Sequence, residues 1–203
     1  QMELQHGFEN LKKVMNSTVQ AITRTIDKRD PYTSGHQQRV ADLSRTIARE
    51  IGFSENEIEG IYIAAAIHDI GKISIPAEIL SKPVQLSDIE ISLIQAHSAT
   101  GYDILKGIEF PWPIAEIVLQ HHERLDGSGY PRGLAGDDVL MAARIIGVAD
   151  VVETMASHRP YRPSMGIDKA LEEITQNRGV LYEPLVVDAC LKLFNNKEFQ
   201  LPS

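Results

Sequence analysis

The chain has 203 residues, 43% hydrophobic and 24% charged, with a formal net charge of −8. That length suffices for one substantial core, or a domain with an appendage, while the acidic balance argues against general binding of nucleic-acid polymers, which relies on basic surface. No stretch approaches the roughly 18 uninterrupted apolar residues of a membrane span, and the start, Gln1-Met2-Glu3-Leu4, lacks the basic-then-apolar pattern of a signal peptide. Without an initiator Met at position 1, the chain is expected to be a piece of a longer protein. The single Cys190 excludes an internal disulfide and suits a reducing, cytoplasmic setting; an anchor upstream of this piece is compatible with that setting.

The pattern is helix after helix, which predicts an all-α fold. Leu4, Phe8, Leu11, Met15, Thr18 and Ile22 alternate four-three spacing, the mark of a packed helical seam. This leader, residues 1–27, either folds onto its own domain (residues 28–203) or pairs in parallel with a second copy to relay an upstream signal. Ser34 and Gln37 suit a capping box opening a second helix, whose His36, Val40, Leu43 and Ile47 share one face. Ser54 and Glu57 suit another, for a helix expected to run to Asp69 and stop at Gly71. Ser87 to Glu90 opens a fourth, with Ile91, Ile94 and His97 or Ser98 on one side, and Pro113 suits the first turn of a fifth, whose Ile114, Ile117 or Val118, and His121 face the core. A glycine-rich stretch, 123–138, can bring backbone close to a ligand. Helices follow around 141–156, 167–176 and 183–195, with Ile73-Ser74-Ile75 as a short extended piece outside any sheet.

His68-Asp69 closes an otherwise apolar helix. Buried polar groups cost free energy unless something satisfies them, and a metal ion is the strongest satisfier of that pair. His36, His97, His121, His122 and Asp150 complete the candidate ligands, so five of the seven histidines fall where they can converge. Taken singly, each has a bland explanation as a hydrogen-bonded core residue or a cap. Together, imidazoles and carboxylates without cysteine suit iron, manganese, nickel or catalytic zinc, not a closed thiolate zinc site.

The ordered motifs are more specific. Arg29-Asp30-Pro31-Tyr32-Thr33-Ser34-Gly35-His36, His68-Asp69-Ile70-Gly71-Lys72-Ile73, Ile75-Pro76, Ser81-Lys82-Pro83, His97, His121 through Pro131, Ala149-Asp150-Val151 and Arg159-Pro160-Tyr161-Arg162 occur in the order of the HD-GYP family, a bacterial branch of the HD phosphohydrolases. The chain resembles that family from about Lys28 to Phe194, with the eponymous Gly129-Tyr130-Pro131 intact.

The resemblance implies an HD-superfamily helical bundle that hydrolyses cyclic di-GMP to the linear dinucleotide pGpG, onward to GMP, or both. One metal would take His36, His68, Asp69 and Asp150, and a second His97, His121 and His122, with Asp69 bridging. Such a pair, about 3.5–4 Å apart, can activate water and clamp a phosphodiester. Lys72 is either an exposed lysine favoured at a helix C-terminus or, as the resemblance implies, a group on the scissile phosphate or leaving oxygen. Tyr130 packs in its loop or lines the pocket. Arg159 and Arg162, otherwise surface charges, match ligand-contacting positions of the family and suit phosphate or a guanine edge.

The implied partners are a cyclic dinucleotide, an upstream sensory or receiver module, a second copy through the leader helix, and GGDEF-type proteins. A non-catalytic cyclic di-GMP sensor or docking module, and a phosphodiesterase for 3',3'-cyclic GMP-AMP, are the alternatives. Two departures stand out: Glu153 occupies a position where the family often has Asp, and Gly179-Val180-Leu181-Tyr182-Glu183-Pro184 lacks the family's histidine. Two ions per chain are expected rather than three, because residues 31–35 offer no carboxylate before His36 and Asp30 suits a turn.

Overall fold

A computed structural model describes residues 2–29, 35–157 and 164–201, apart from the side chains of several residues in the first helix. Ten α-helices make up its framework: α1 (Met2–Arg29), α2 (His36–Ile51), α3 (Glu55–Ala66), α4 (Ala77–Leu80), α5 (Asp88–Gln95), α6 (His97–Leu105), α7 (Ile114–Gln120), α8 (Met141–Ala156), α9 (Ile167–Gln176) and α10 (Pro184–Asn195). Among the described residues there is no strand, only isolated bridges between Asp126 and Ala135 and between Arg178 and Tyr182. The all-α expectation holds. No helix among the described residues is long and apolar enough to cross a membrane.

The core forms where α2 packs against α3 and α8, and α8 in turn against α9. Val40, Leu43 and Ile47 of α2 are fully buried, as are Ile63 of α3 and Ile145 and Ile146 of α8. Burying each of the larger side chains contributes about 1.5–3 kcal/mol. The capping boxes at Ser54/Glu57 and Ser87/Glu90 both form, each serine accepting from the glutamate's backbone N–H while the glutamate accepts from the serine's.

Several local expectations are corrected. Ser34 lies outside the described residues, and the residue before α2 is Gly35 in the left-handed region (φ 73) with no side-chain cap. Gln37 is buried and turns to the site instead of capping. The third helix ends at Ala66, not Asp69, and Ile70–Ser74 forms a 3-10 turn, so Ile73 and Ser74 are not extended. The fourth splits at Ala96 into α5 and α6. No residue of α5 is buried, and Ile91 is exposed rather than core. Pro113 caps α7 from outside its first turn.

In the leader, Leu4, Phe8 and Leu11 have side chains outside the described residues. Farther along, Thr18 is exposed and the buried stripe is Val19, Thr23 and Ile26, one position off the expected seam at Thr18 and Ile22. This stripe docks on the domain: α1 packs against α2, α3 and the 3-10 turn, and Thr23 Oγ1 donates to the Ala66 carbonyl at 2.9 Å. That carbonyl is one of those a helix end leaves without an internal partner.

Candidate metal centre

Helix ends build the site. His36 is the first residue of α2, His68 and Asp69 lie in the turn after α3, His97 opens α6, and His121 and His122 follow α7. Only Asp150 sits inside a helix, α8. Short breaks between helices let side chains from several directions meet, which one continuous helical face cannot do. The break at Ala96 places His97 at a helix start, and the early end of α3 turns His68-Asp69 inward.

Two clusters result. Ligand atoms of His36, His68 and Asp69 lie within 4.8 Å of one another, as do those of His97, His121 and His122. Asp150 Oδ1 joins the first cluster, 3.2 Å from His36 Nε2 and 3.9 Å from His68 Nε2. Buried Asp69 stands between them: Oδ1 is 3.4 Å from His97 Nε2, and Oδ2 is 3.6 Å from His68 Nε2. Oδ2 also accepts from Gln37 Nε2 at 2.8 Å and Lys72 Nζ at 2.7 Å. Burial pushes the Asp69 pKa up, but Lys72 and the surrounding imidazoles outweigh it and hold the carboxyl well below its ordinary range.

The imidazoles are pre-oriented. Nδ1 of His68, His97 and His121 donates to the carbonyl three residues earlier, in Ala65, Ile94 and Val118, at 2.7, 2.7 and 2.6 Å. A carbonyl cannot donate, so the proton resides on Nδ1 and Nε2 presents its lone pair. Nε2 of His97 and His121 are 3.3 Å apart, with Ser98 Oγ 3.5 Å from the former. Two facing lone pairs repel, and a shared cation removes the conflict. Burial depresses the pKa of His97, and depresses those of His121 and His122 well below normal, keeping these rings neutral as metal ligation requires. Neutral imidazoles with a carboxylate between them fit divalent metal.

Lys72 does not lie free at a helix end; its side chain is 16% exposed and directed at Asp69. The turn that carries it crosses α6 so tightly that a methyl group on Gly71 would sit 1.9 Å from the His97 carbonyl oxygen. Only glycine fits. Tyr130 both packs and lines: its ring stacks on His122 with centroids 4.7 Å apart, and it borders a cavity of about 200 Å³. His36, Asp69, His97, His122, Asp150 and Lys72 line that cavity together with aliphatic Ile79, Leu80, Leu86 and Ile94. The loop holds its shape because buried Glu123 accepts the backbone N–H groups of Arg132 and Leu134 at 2.7 and 2.9 Å, and Gly129 leaves no room for a side chain beside the His122 carbonyl.

Arg159 and Arg162 lie outside the described residues. Tyr182 and Glu183 pack behind the loop, Tyr182 donating to Glu173 and Glu183 pairing with Arg144. Sequence reasoning missed Gln37, Arg39 and the part played by Glu153. The available signal was position, since Gln37 is next to His36 and Glu153 is one turn beyond Asp150.

The HD domain family matches residues 20–186. The cyclic di-GMP phosphodiesterase response regulator RpfG of Xanthomonas campestris pv. campestris is 41% identical over 177 residues, covering 86% of this chain and 47% of that protein. The 3'3'-cGAMP-specific phosphodiesterase 3 of Vibrio cholerae is 38% identical over 177 residues, covering 87% and 38%. The chain thus spans about half or less of these curated relatives. Among solved structures, Bd1817, an HD-GYP-type protein from Bdellovibrio bacteriovorus, superposes with a TM-score of 0.65 at 18% identity, over 79% of this chain and 51% of that one. At that identity the likeness concerns the fold alone.

Proposed function

Because the chain belongs to the HD-domain family, in its HD-GYP branch, we propose that it hydrolyses a phosphodiester bond of a cyclic dinucleotide. The observation that carries this reading is Asp69, set between two clusters of inward-facing imidazoles on the floor of a cavity that also holds Lys72. His36, His68, Asp69 and Asp150 would hold one divalent ion, and His97, His121 and His122 with Asp69 a second. Bound there, such ions supply positive charge to the phosphodiester and acidify water near neutral pH. Iron is the first choice, and manganese, nickel or zinc suit the same donors.

The chain's own groups do the rest. Asp69 and Asp150 offset cationic charge, and burial favours the neutral form of His97, His121 and His122. Lys72, its Nζ 2.7 Å from Asp69 Oδ2, presents a cation where negative charge develops on phosphate or the leaving oxygen. Tyr130 and the aliphatic wall of Ile79, Leu80, Leu86 and Ile94 offer apolar surface to the nucleotide. Arg159 and Arg162 are proposed as its phosphate or guanine contacts. Convergence of every ligand together with Lys72 supports an enzyme over a binding-only sensor.

Cyclic di-GMP is the proposed substrate, giving pGpG, GMP or both; the relative specific for 3'3'-cGAMP supports that dinucleotide as the second candidate. Residues 1–27 are proposed as the link to an upstream sensory or receiver module, and as the site of pairing with a second copy; GGDEF-type proteins are proposed partners. The test is chromatography of both cyclic dinucleotides after incubation with protein loaded anaerobically with iron or manganese. The expected result is conversion to a linear dinucleotide or mononucleotide. Both substrates intact, with two ions per chain verified, would overturn the reading.

A further inference from the structure

We infer that Glu153 is a positioning residue that holds His36 in its ligating orientation, and so sets the affinity of one half of the metal centre without binding metal itself. The inference rests on the metal-binding part of the function proposed above.

Its origin is the difference in how the imidazoles are backed. His68, His97 and His121 each end or follow a helical turn and lean on the carbonyl three residues earlier. His36 opens α2 behind a left-handed Gly35, and its Nδ1 faces a side chain of another helix. Glu153 fills that role from α8. Its Oε2 accepts from His36 Nδ1, while Oε1 accepts from Arg39 Nε at 2.7 Å, Arg39 Nη2 at 2.6 Å and Ser157 Oγ at 2.7 Å. The carboxylate is fully buried and both oxygens are engaged, so it has one geometry available.

Arg39 lies one turn along α2 from His36, and Asp150 one turn before Glu153 on α8. The Glu153 carboxylate therefore ties α2 to α8 where the two helices jointly present His36 and Asp150. His36 is held from both sides, by Glu153 at Nδ1 and by Asp150 3.2 Å from Nε2. A carboxylate backing makes an imidazole a better electron donor than a carbonyl backing does. Here that advantage goes to one ligand of the carboxylate-containing cluster and to none of the three imidazoles in the other.

The experiment is a manganese titration of the chelator-treated full chain by calorimetry, comparing the parent with Glu153→Ala and Glu153→Gln, and with melting temperatures of the metal-free proteins as the fold control. Glu153→Ala should weaken one manganese site by about 10- to 100-fold and leave the second within about twofold, the range seen when a ligand's outer partner is removed. Glu153→Gln keeps length and an acceptor oxygen but not the charge, so it should lose less. Two unchanged sites in Glu153→Ala, or equal loss at both sites in both variants, would overturn the inference. A parent that binds no manganese would overturn it together with the metal reading. If the asymmetric loss appears but no cyclic dinucleotide is cleaved, the role of Glu153 stands and the substrate assignment falls.

Discussion

The two halves of the proposed metal centre would solve the same problem by different means. One half draws on α2, the turn after α3, and α8, and carries two carboxylates, Asp69 and Asp150, beside His36 and His68. The other is three imidazoles from α6 and the end of α7, reached by a single carboxylate oxygen of Asp69, 3.4 Å from His97 Nε2. The first half would offset cationic charge directly. The second relies on burial to keep its rings neutral. Asp69 is the one group common to both.

That comparison is broken most severely by removing the shared group. Asp69→Ala should strip metal from both halves and slow hydrolysis by roughly a thousandfold or more, as expected for losing several kcal/mol of charge stabilisation. Asp150→Ala should empty the carboxylate half only. Elemental analysis beside rate measurements separates them; two retained ions in Asp69→Ala would end the shared-carboxylate account. Lys72→Ala should act on neither half's metal content. A positioned cation near developing negative charge is worth a few kcal/mol, so the rate should fall about a hundredfold with the ion count unchanged.

The smallest effect sharpens the contrast through pH. Unfolded imidazoles titrate near 6.5, and burial lowers the folded values of His97, His121 and His122. The unfolded chain then binds more protons below 6.5, so the metal-free protein loses stability as pH falls through that value. His36 opposes this: burial lowers its pKa, but Asp150 and Glu153 outweigh burial and raise it. Its stabilisation is present below 6.5 and fades as pH rises through the raised value. Three rings against one predict a melting temperature several degrees lower at about pH 5.5 than at about pH 7.5, with His36→Gln steepening the fall. A flat profile would contradict the neutral-ring picture.

The long elements were readable because their patterns are local. Helix α8 runs over Met141–Ala156 as its apolar spacing indicated, and Ser54/Glu57 and Ser87/Glu90 close the capping boxes their spacing called for. What misled was continuity: the apolar run into His68 reads as helix, yet α3 stops at Ala66, and Asp69 in the turn beyond it meets Gln37, Lys72 and His97. The exposed α5 carries an apolar pattern with nothing of its own buried, and periodicity cannot tell a covered face from an open one. In α1, Val19, Thr23 and Ile26 are buried while Met15 and Ile22 of the heptad pattern are partly buried against the core, a phase that depends on how the helix docks.

Within the site, the sequence by itself determined the chemical inventory: five histidines, two aspartates and a lysine in motifs that no ordinary helix requires. Only the tertiary structure decided that Asp69 turns one oxygen to each half, that Lys72 points inward, and that Glu153 backs His36 across 117 residues of chain. Residue type dictates which atoms can donate, accept or ligate. Which of them meet depends on where helices stop and how they cross, and those are set by packing between segments far apart in the chain.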